Sequence, residues 1–349
     1  MTFHDIIEQN MKKCSVKWWP NYAYHFTDVN NAVNIIKQGF LYSRTIAKEK
    51  RLMINDNASR KVIEMTSGEI SDFVRFYFRP LTPTQYNNEG FKHSAIRYDK
   101  DPFANVPVPI FFFFWLEPLL KNPNTLFTGS SAAGGVTEKK RGLEQFCSLE
   151  FENIYANGPY TSEIPEVKKR ETELRQAEIL YPSKYPIRET LAGIVCRNEV
   201  ERNTFLNLIR QESQELFLEV QPKTKILRDS IYYNNGLFIE DCIYHDRVFA
   251  VVFSEYYKRN RFVQRHLKKE TLVPINSHIV FEWVGEKKEE RLLINRREFQ
   301  LNLDYLRKEP IRFIGMPIIP EANLLKVTVF FEQCLMCYQE YSLLNGEIL

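Results

Sequence analysis

Four short segments carry side chains that could do chemistry together. They are His25 and Thr27 in YHFTD (24–28), Arg60 in INDNASRKVIE (54–64), Tyr77 in the aromatic run SDFVRFYF (71–78), and Glu178 in RQAEILY (175–181). Strand alternation puts His25 and Thr27 on one side, offering donor and acceptor groups at the strand's end. Arg60 can grip an anion with two parallel N–H groups, a geometry Lys lacks. A carboxylate at the head of an apolar strand can stabilise a developing positive charge or accept a proton. Taken singly, each has an ordinary structural explanation: His25 as a hydrogen-bonded strand residue, Tyr77 and Phe78 as core, Glu178 as an ion pair with Arg175. Only their combination points to a site.

The elements that must position them alternate in type. Residues 30–40 (NNAVNIIKQGF) have the spacing of a short amphipathic helix, with Gly39 as its C-cap. Residues 74–78, 110–116 and 178–181 read as buried or half-buried strands, and 189–196 as an extended segment leading into a helix over 199–214. Between 128 and 177 the texture changes to a Gly/Ser/Ala loop (TGSSAAGG), a charged helix-like piece at 138–146 and a turn-rich stretch at 157–166. A long irregular connection of this kind inside a compact domain is usually a functional loop or lid. From about residue 226 the pattern becomes strand after strand: 236–243, 246–254, 278–284, 291–300, 310–315 and 325–338. That suggests a sandwich or barrel. One helical interruption, EYYKRNRFVQRHLKKE (255–270), sets Lys258, Arg261, Arg265 and Lys268 on one face. The expected division is 1–225, a mixed α/β domain, and 226–349, a β-rich accessory domain.

Composition limits the alternatives. With 349 residues, 47 Lys+Arg against 44 Asp+Glu, and 26% charged residues, this is an ordinary globular chain and no bulk polycation. Residues 201–349 carry 21 charges of each sign, so any nucleic-acid contact must come from local patches. Gly is scarce at 13 residues, and neither GxGxxG nor GxxxxGK[ST] occurs, which excludes the Rossmann and P-loop modes of holding a nucleotide. The longest apolar run, VPIFFFFWL (108–116), is too short to span a bilayer, and the start lacks the order of a signal peptide, so a cytoplasmic protein without membrane attachment is expected. Cys334 and Cys337 form a solitary CxxC in an apolar context, read as core and not as a metal site.

In their order, YHFTD, the NAVNIIKQGF helix, an Arg, SDFVRFYFRPLTPTQY, LFTG, and RQAEILYP followed by YPI and LAGIVC resemble the DarT family of ADP-ribosyltransferases that modify nucleic-acid bases. The resemblance covers roughly residues 20–225. It implies an α+β fold of the ADP-ribosyltransferase type with split, mostly antiparallel sheets, followed here by a mainly-β, sandwich-like C-terminal domain. It further implies NAD⁺ as co-substrate, no metal, catalysis by Glu178 and Arg60, and NAD⁺ binding by His25, Phe26, Thr27 and Tyr77. The stretch from about Asn153 to Arg175 would recognise single-stranded DNA or RNA through Tyr155, Tyr160, Lys168, Lys169 and Arg170, an aromatic and basic mixture suited to unpaired bases. A toxin held in check by an antitoxin protein, deployed in antiviral defence, is the implied setting. The sequence departs from the family pattern where Arg75 replaces a Pro and Thr84-Gln85 replaces Met-Leu. Modification of a protein, plain NAD⁺ hydrolysis, and a catalytically silent nucleic-acid-binding module are the competing readings.

Overall fold

The computed structural model describes residues 1–55, 68–97, 105–134, 137–266, 273–287 and 290–343. Among these residues nine strands belong to the first unit: β1 (Tyr22–Asp28), β2 (Phe40–Tyr42), β3 (Phe73–Tyr77), β4 (Pro109–Trp115), β5 (Leu126–Phe127), β6 (Glu178–Pro182), β7 (Lys184–Pro186), β8 (Leu191–Cys196) and β9 (Thr224–Ile226). Seven of them form one sheet in the order β5-β6-β3-β1-β4-β8-β9, antiparallel except for the β8–β9 pair, while β2 and β7 make a separate ribbon. The run Ile110-Phe-Phe-Phe-Phe114 is buried residue after residue, because β4 lies between β1 and β8 with both faces covered. β1 pairs with β4 along its whole length but with β3 at a single position, Tyr24 opposite Tyr77. The sheet is therefore split between β1 and β3.

The helix after β1, Val29–Gln38, begins where the Asp28 carboxylate accepts the Asn30 N–H at 3.1 Å and ends at Gly39, whose φ of 72° suits a residue without Cβ. Its apolar face, Val29, Ala32, Val33 and Ile36, packs into the core beneath the sheet.

The second unit comprises β10 (Ile239–His245), β11 (Val248–Phe253), β12 (Pro274–Lys287), β13 (Glu290–Asp304), β14 (Ile311–Ile314), β15 (Leu324–Phe331) and β16 (Cys334–Ser342). They form a three-stranded sheet, β10-β11-β14, and a four-stranded one, β13-β12-β15-β16. Phe249 and Phe313 of the first meet Phe281 of the second at ring separations of 5.2 and 5.0 Å, so the two sheets share one aromatic core. Residues 325–338, expected as one strand, are a hairpin. Its two-residue turn holds Glu332 at φ 52°, a conformation that Gly, Asn or Asp would have advertised and Glu does not. Cys334 and Cys337 face different neighbours: the Cys337 sulfur lies 3.6 Å from that of Cys242, and the Cys334 sulfur 3.6 Å from the Asn105 amide.

The units are joined by a buried polar hub. The Glu89 carboxylate accepts from the backbone of Tyr233 (2.9 Å) and Asn234 (2.7 Å), from the Gln85 amide (2.7 Å) and from Arg197 (3.4 Å), which also pairs with Glu201. Beside it, backbone meets backbone at Gly90 and Gly236; a Cβ on Gly236 would collide with the Glu89 carbonyl. Phe91, next in sequence, already belongs to the second core.

Two properties of this architecture can be read from unfolding. Glu89→Ala leaves two backbone amides buried without their acceptor and strips Arg197 of one of its two carboxylate partners, and should cost about 3–5 kcal/mol, seen as a lowered denaturation midpoint. Burial pushes the Asp28 carboxyl up to about 6 from 3.8, against the opposing hydrogen bonds of Asn30. The folded state then holds that proton more tightly than the unfolded chain, so this group's contribution to stability falls as pH rises from about 4 to 6. Asp28→Asn keeps a capping side chain and should flatten the stability–pH curve in that window, measured by denaturant unfolding at several pH values.

Candidate active site

The split between β1 and β3 opens into a cleft of about 780 Å³. Where the ladder stops, the His25 ring replaces it: Nδ1 lies 3.1 Å from the Arg75 carbonyl, which makes Nδ1 the donor. Burial lowers the His25 pKa, partly offset by that bond, so the ring is neutral and its Nε2 is an acceptor. His25, Phe26 and Thr27 form one wall of the cleft and Arg75 and Tyr77 another. Phe26 is fixed by Phe111, with ring centroids 5.0 Å apart. Burial, followed by the neighbouring charge of Glu178, raises the Tyr77 pKa and keeps the phenol protonated. Thr84, also in the cleft lining, donates to Gln176 at 3.0 Å, tying the helix Pro83–Asn88 to the residues just before β6.

Glu178 lies directly opposite Tyr77 in the β3–β6 ladder, and Arg75 lies one step along on the same face, opposite Leu180. That diagonal brings the guanidinium onto the carboxylate as a fork: Nε to Oε2 and Nη2 to Oε1, both 2.6 Å. The Ala132 N–H also donates to Oε1 at 3.3 Å. The Glu178 backbone exchanges bonds with Thr128, its carbonyl accepting at 2.8 Å and its N–H donating to the hydroxyl at 3.2 Å. Thus the loop after β5 wraps the carboxylate, and Ser130, Ser131 and Ala133 add to the cleft lining. Glu178 is 1% exposed; the surface presented to the cleft at this point is Arg75. Burial alone would weaken the guanidinium's hold on its proton, but the charge of Glu178 outweighs it and Arg75 stays cationic.

His25, Phe26, Thr27, Tyr77 and Glu178 are therefore gathered around one cleft. Arg60 lies outside the described residues. The chain before it is anchored at the cleft, because Asn31 accepts from the Ile54 and Asn55 N–H groups at 2.9 and 3.3 Å and donates to the Asn55 carbonyl at 2.6 Å. After it, Ile70 and Ser71 again line the cleft.

The segment 153–175 differs from the irregular loop expected. It contains the helix Pro165–Leu174, and its turn is pinned by Arg175 Nη1 to the Gly158 carbonyl (2.9 Å) and by the Thr161 N–H to Glu171 (3.1 Å). Tyr155 is not available to a ligand: it is 2% exposed and stacked on Phe151 inside the first core, so a base-stacking role for it is withdrawn. Tyr160 is half-buried between Lys168 and Arg175, Lys169 is exposed, and Arg170 pairs with Glu150 at 2.7 Å. None of these four lines the cleft; from this helix Thr172 and Glu173 do. The residue that sequence reading passed over is Arg75. Its signal was present, since in FVRFYF a charged residue alternates with Tyr77 on one face of an otherwise aromatic strand.

A family model described as "ssDNA thymidine ADP-ribosyltransferase, DarT" matches residues 24–233. A DNA ADP-ribosyl transferase of Thermus sp. (strain 2.9) is 25% identical over 175 residues, 48% of this chain and 77% of that protein. Among solved structures, Thermus sp. 2.9 DarT in complex with ADP-ribosylated ssDNA aligns with a TM-score of 0.47 at 21% identity, covering 61% of this chain and 97% of that one. Thermosipho africanus DarTG in complex with ADP-ribose aligns with a TM-score of 0.46 at 11% identity, covering 68% and 57%. With more than half of its length matched, including every described residue gathered at the cleft, the chain belongs to the DarT family of single-stranded-DNA ADP-ribosyltransferases, enzymes that use NAD⁺.

Proposed function

We propose that the chain transfers ADP-ribose from NAD⁺ to thymidine in single-stranded DNA, with Glu178 as the catalytic carboxylate. The observation that carries this is a fully buried, firmly oriented carboxylate behind the wall of a cleft whose other walls are His25, Thr27 and Tyr77. In this reading His25, Phe26, Thr27 and Tyr77 hold NAD⁺ and Arg60 holds the reacting groups. When the bond between nicotinamide and ribose breaks, its electron pair leaves with nicotinamide and positive charge develops at the ribose C1′. Glu178 stabilises that charge, a ring nitrogen of the base attacks C1′, and the proton it sheds passes to a carboxylate or its partner. For Glu178 to meet the ribose, the Arg75 fork must open at one oxygen while the Ala132 N–H keeps hold of the carboxylate. Arg75 thereby positions Glu178 until substrate arrives.

The acceptor is unpaired DNA because the reacting edge of a base is occupied in a duplex. The biological setting we propose is a toxin silenced by a cognate antitoxin and released against phage. An enzyme that modifies bases of single-stranded DNA is a hazard to the cell that makes it and needs such a restraint.

Label from NAD⁺ should appear on single-stranded DNA containing thymidine, and not on thymidine-free DNA or on RNA; the reverse pattern overturns the acceptor assignment. Glu178→Gln should lower kcat by at least about a hundredfold and relieve growth arrest on expression, with Arg60→Ala following it. Arg75→Met should cut kcat about tenfold or more with KM for NAD⁺ little changed, and Arg75→Lys, which keeps the charge without the fork, should fall between. Initial rates on variants of unchanged melting temperature check both.

A further inference from the structure

The second unit lies almost wholly beyond the matched segment, yet one of its elements stands beside the cleft. The helix Tyr256–His266 buries Arg259, Phe262 and Val263. The Arg259 guanidinium is caged by carbonyls, donating to Ser254 at 3.1 and 2.9 Å, to Arg307 at 2.7 Å and to Tyr305, so the helix cannot roll. The opposite face therefore has a fixed direction. It carries Tyr257, Arg261, Gln264 and Arg265, spaced as neighbours on one side of a helix and all exposed, Tyr257 to 67%. Lys258 flanks them, 3.5 Å from Glu255, and no acidic residue occurs between 256 and 269.

This face is continuous with the cleft wall. Arg265 Nη1 donates to the Tyr86 hydroxyl, with the guanidinium 5.8 Å from the ring centroid. Tyr86 belongs to the helix Pro83–Asn88, which Pro83, Thr84, Gln85 and Asn87 join to the cleft lining. A single helix, about 10–12 Å across, thus separates the cleft from the cationic face. An exposed tyrosine set among guanidinium groups is the combination that holds unpaired nucleic acid, the ring stacking a base and the cations pairing with phosphates.

We propose that the Tyr257–Arg261–Arg265 face is a second binding site for single-stranded DNA, receiving the strand as it leaves the cleft. The inference rests on the reading that single-stranded DNA is the acceptor. Charge complementarity and the Arg265–Tyr86 junction select this occupant. The second unit would then lengthen the DNA footprint beyond what the matched segment offers, without taking part in the chemistry.

The test uses the full chain with Tyr257→Ala and Arg261→Glu combined, two exposed positions away from the cleft. Binding and transfer are measured on thymidine-containing single strands of about 20 and about 5 nucleotides, the shorter one sized to fill the cleft alone. The variant should bind the longer strand about tenfold more weakly, with a salt slope shallower by about one, and should bind and modify the shorter strand like the parent. Unchanged affinity and salt slope for the longer strand overturn the proposal, as does equal weakening for both lengths. Absence of transfer from the parent to either strand overturns the acceptor reading itself, and this inference with it.

Discussion

A carboxylate withdrawn from water is tolerated only if its oxygens are matched by donors, and the region around the cleft is organised to meet that demand at Glu178. Arg75 supplies two N–H groups from the adjacent strand and Ala132 a third from the loop after β5. The β3–β6 register fixes the diagonal on which the fork can form; a slip by one residue would send Arg75 to the core face and leave Glu178 alone. The same register puts Tyr77 opposite Glu178, and the Thr84–Gln176 bond anchors the helix that forms the far wall to the residues just before β6. The split from β1 completes the arrangement, because the imidazole of His25 takes the place of the missing ladder and so sets the position of the strand that bears Arg75.

Arg75 and Thr84 are both engaged with the site. Arg75 bonds the carboxylate, and Thr84 bonds Gln176. Side-chain hydrogen bonds thus knit the cleft floor. A proline at position 75 would offer neither the fork nor a backbone N–H.

Much of this was legible in the chain. The Gly39 stop and Asp28 start of the helix after β1, the apolar β4 and the strand beginning at Glu178 are local signals, set by periodicity and capping. Tyr155 misleads because mostly polar residues surround it, although the ring it stacks on, Phe151, stands four positions earlier on the same short helix and meets Phe146 in turn. The hairpin at Glu332 carried no turn residue to announce it. The Glu89–Arg197 link of the hub joins residues more than a hundred positions apart, and no spacing rule reaches that far.

That hub bears on how the molecule could have been assembled. Glu89 follows directly on the helix that walls the cleft, and its carboxylate is satisfied by backbone amides of the linker to the second unit. Gly90 and Gly236 permit a contact no larger residue would tolerate. The β-rich unit is thus fastened to the first at the residue that follows the cleft's helix wall. Exchanging it for a different module would leave that wall's end to be secured anew.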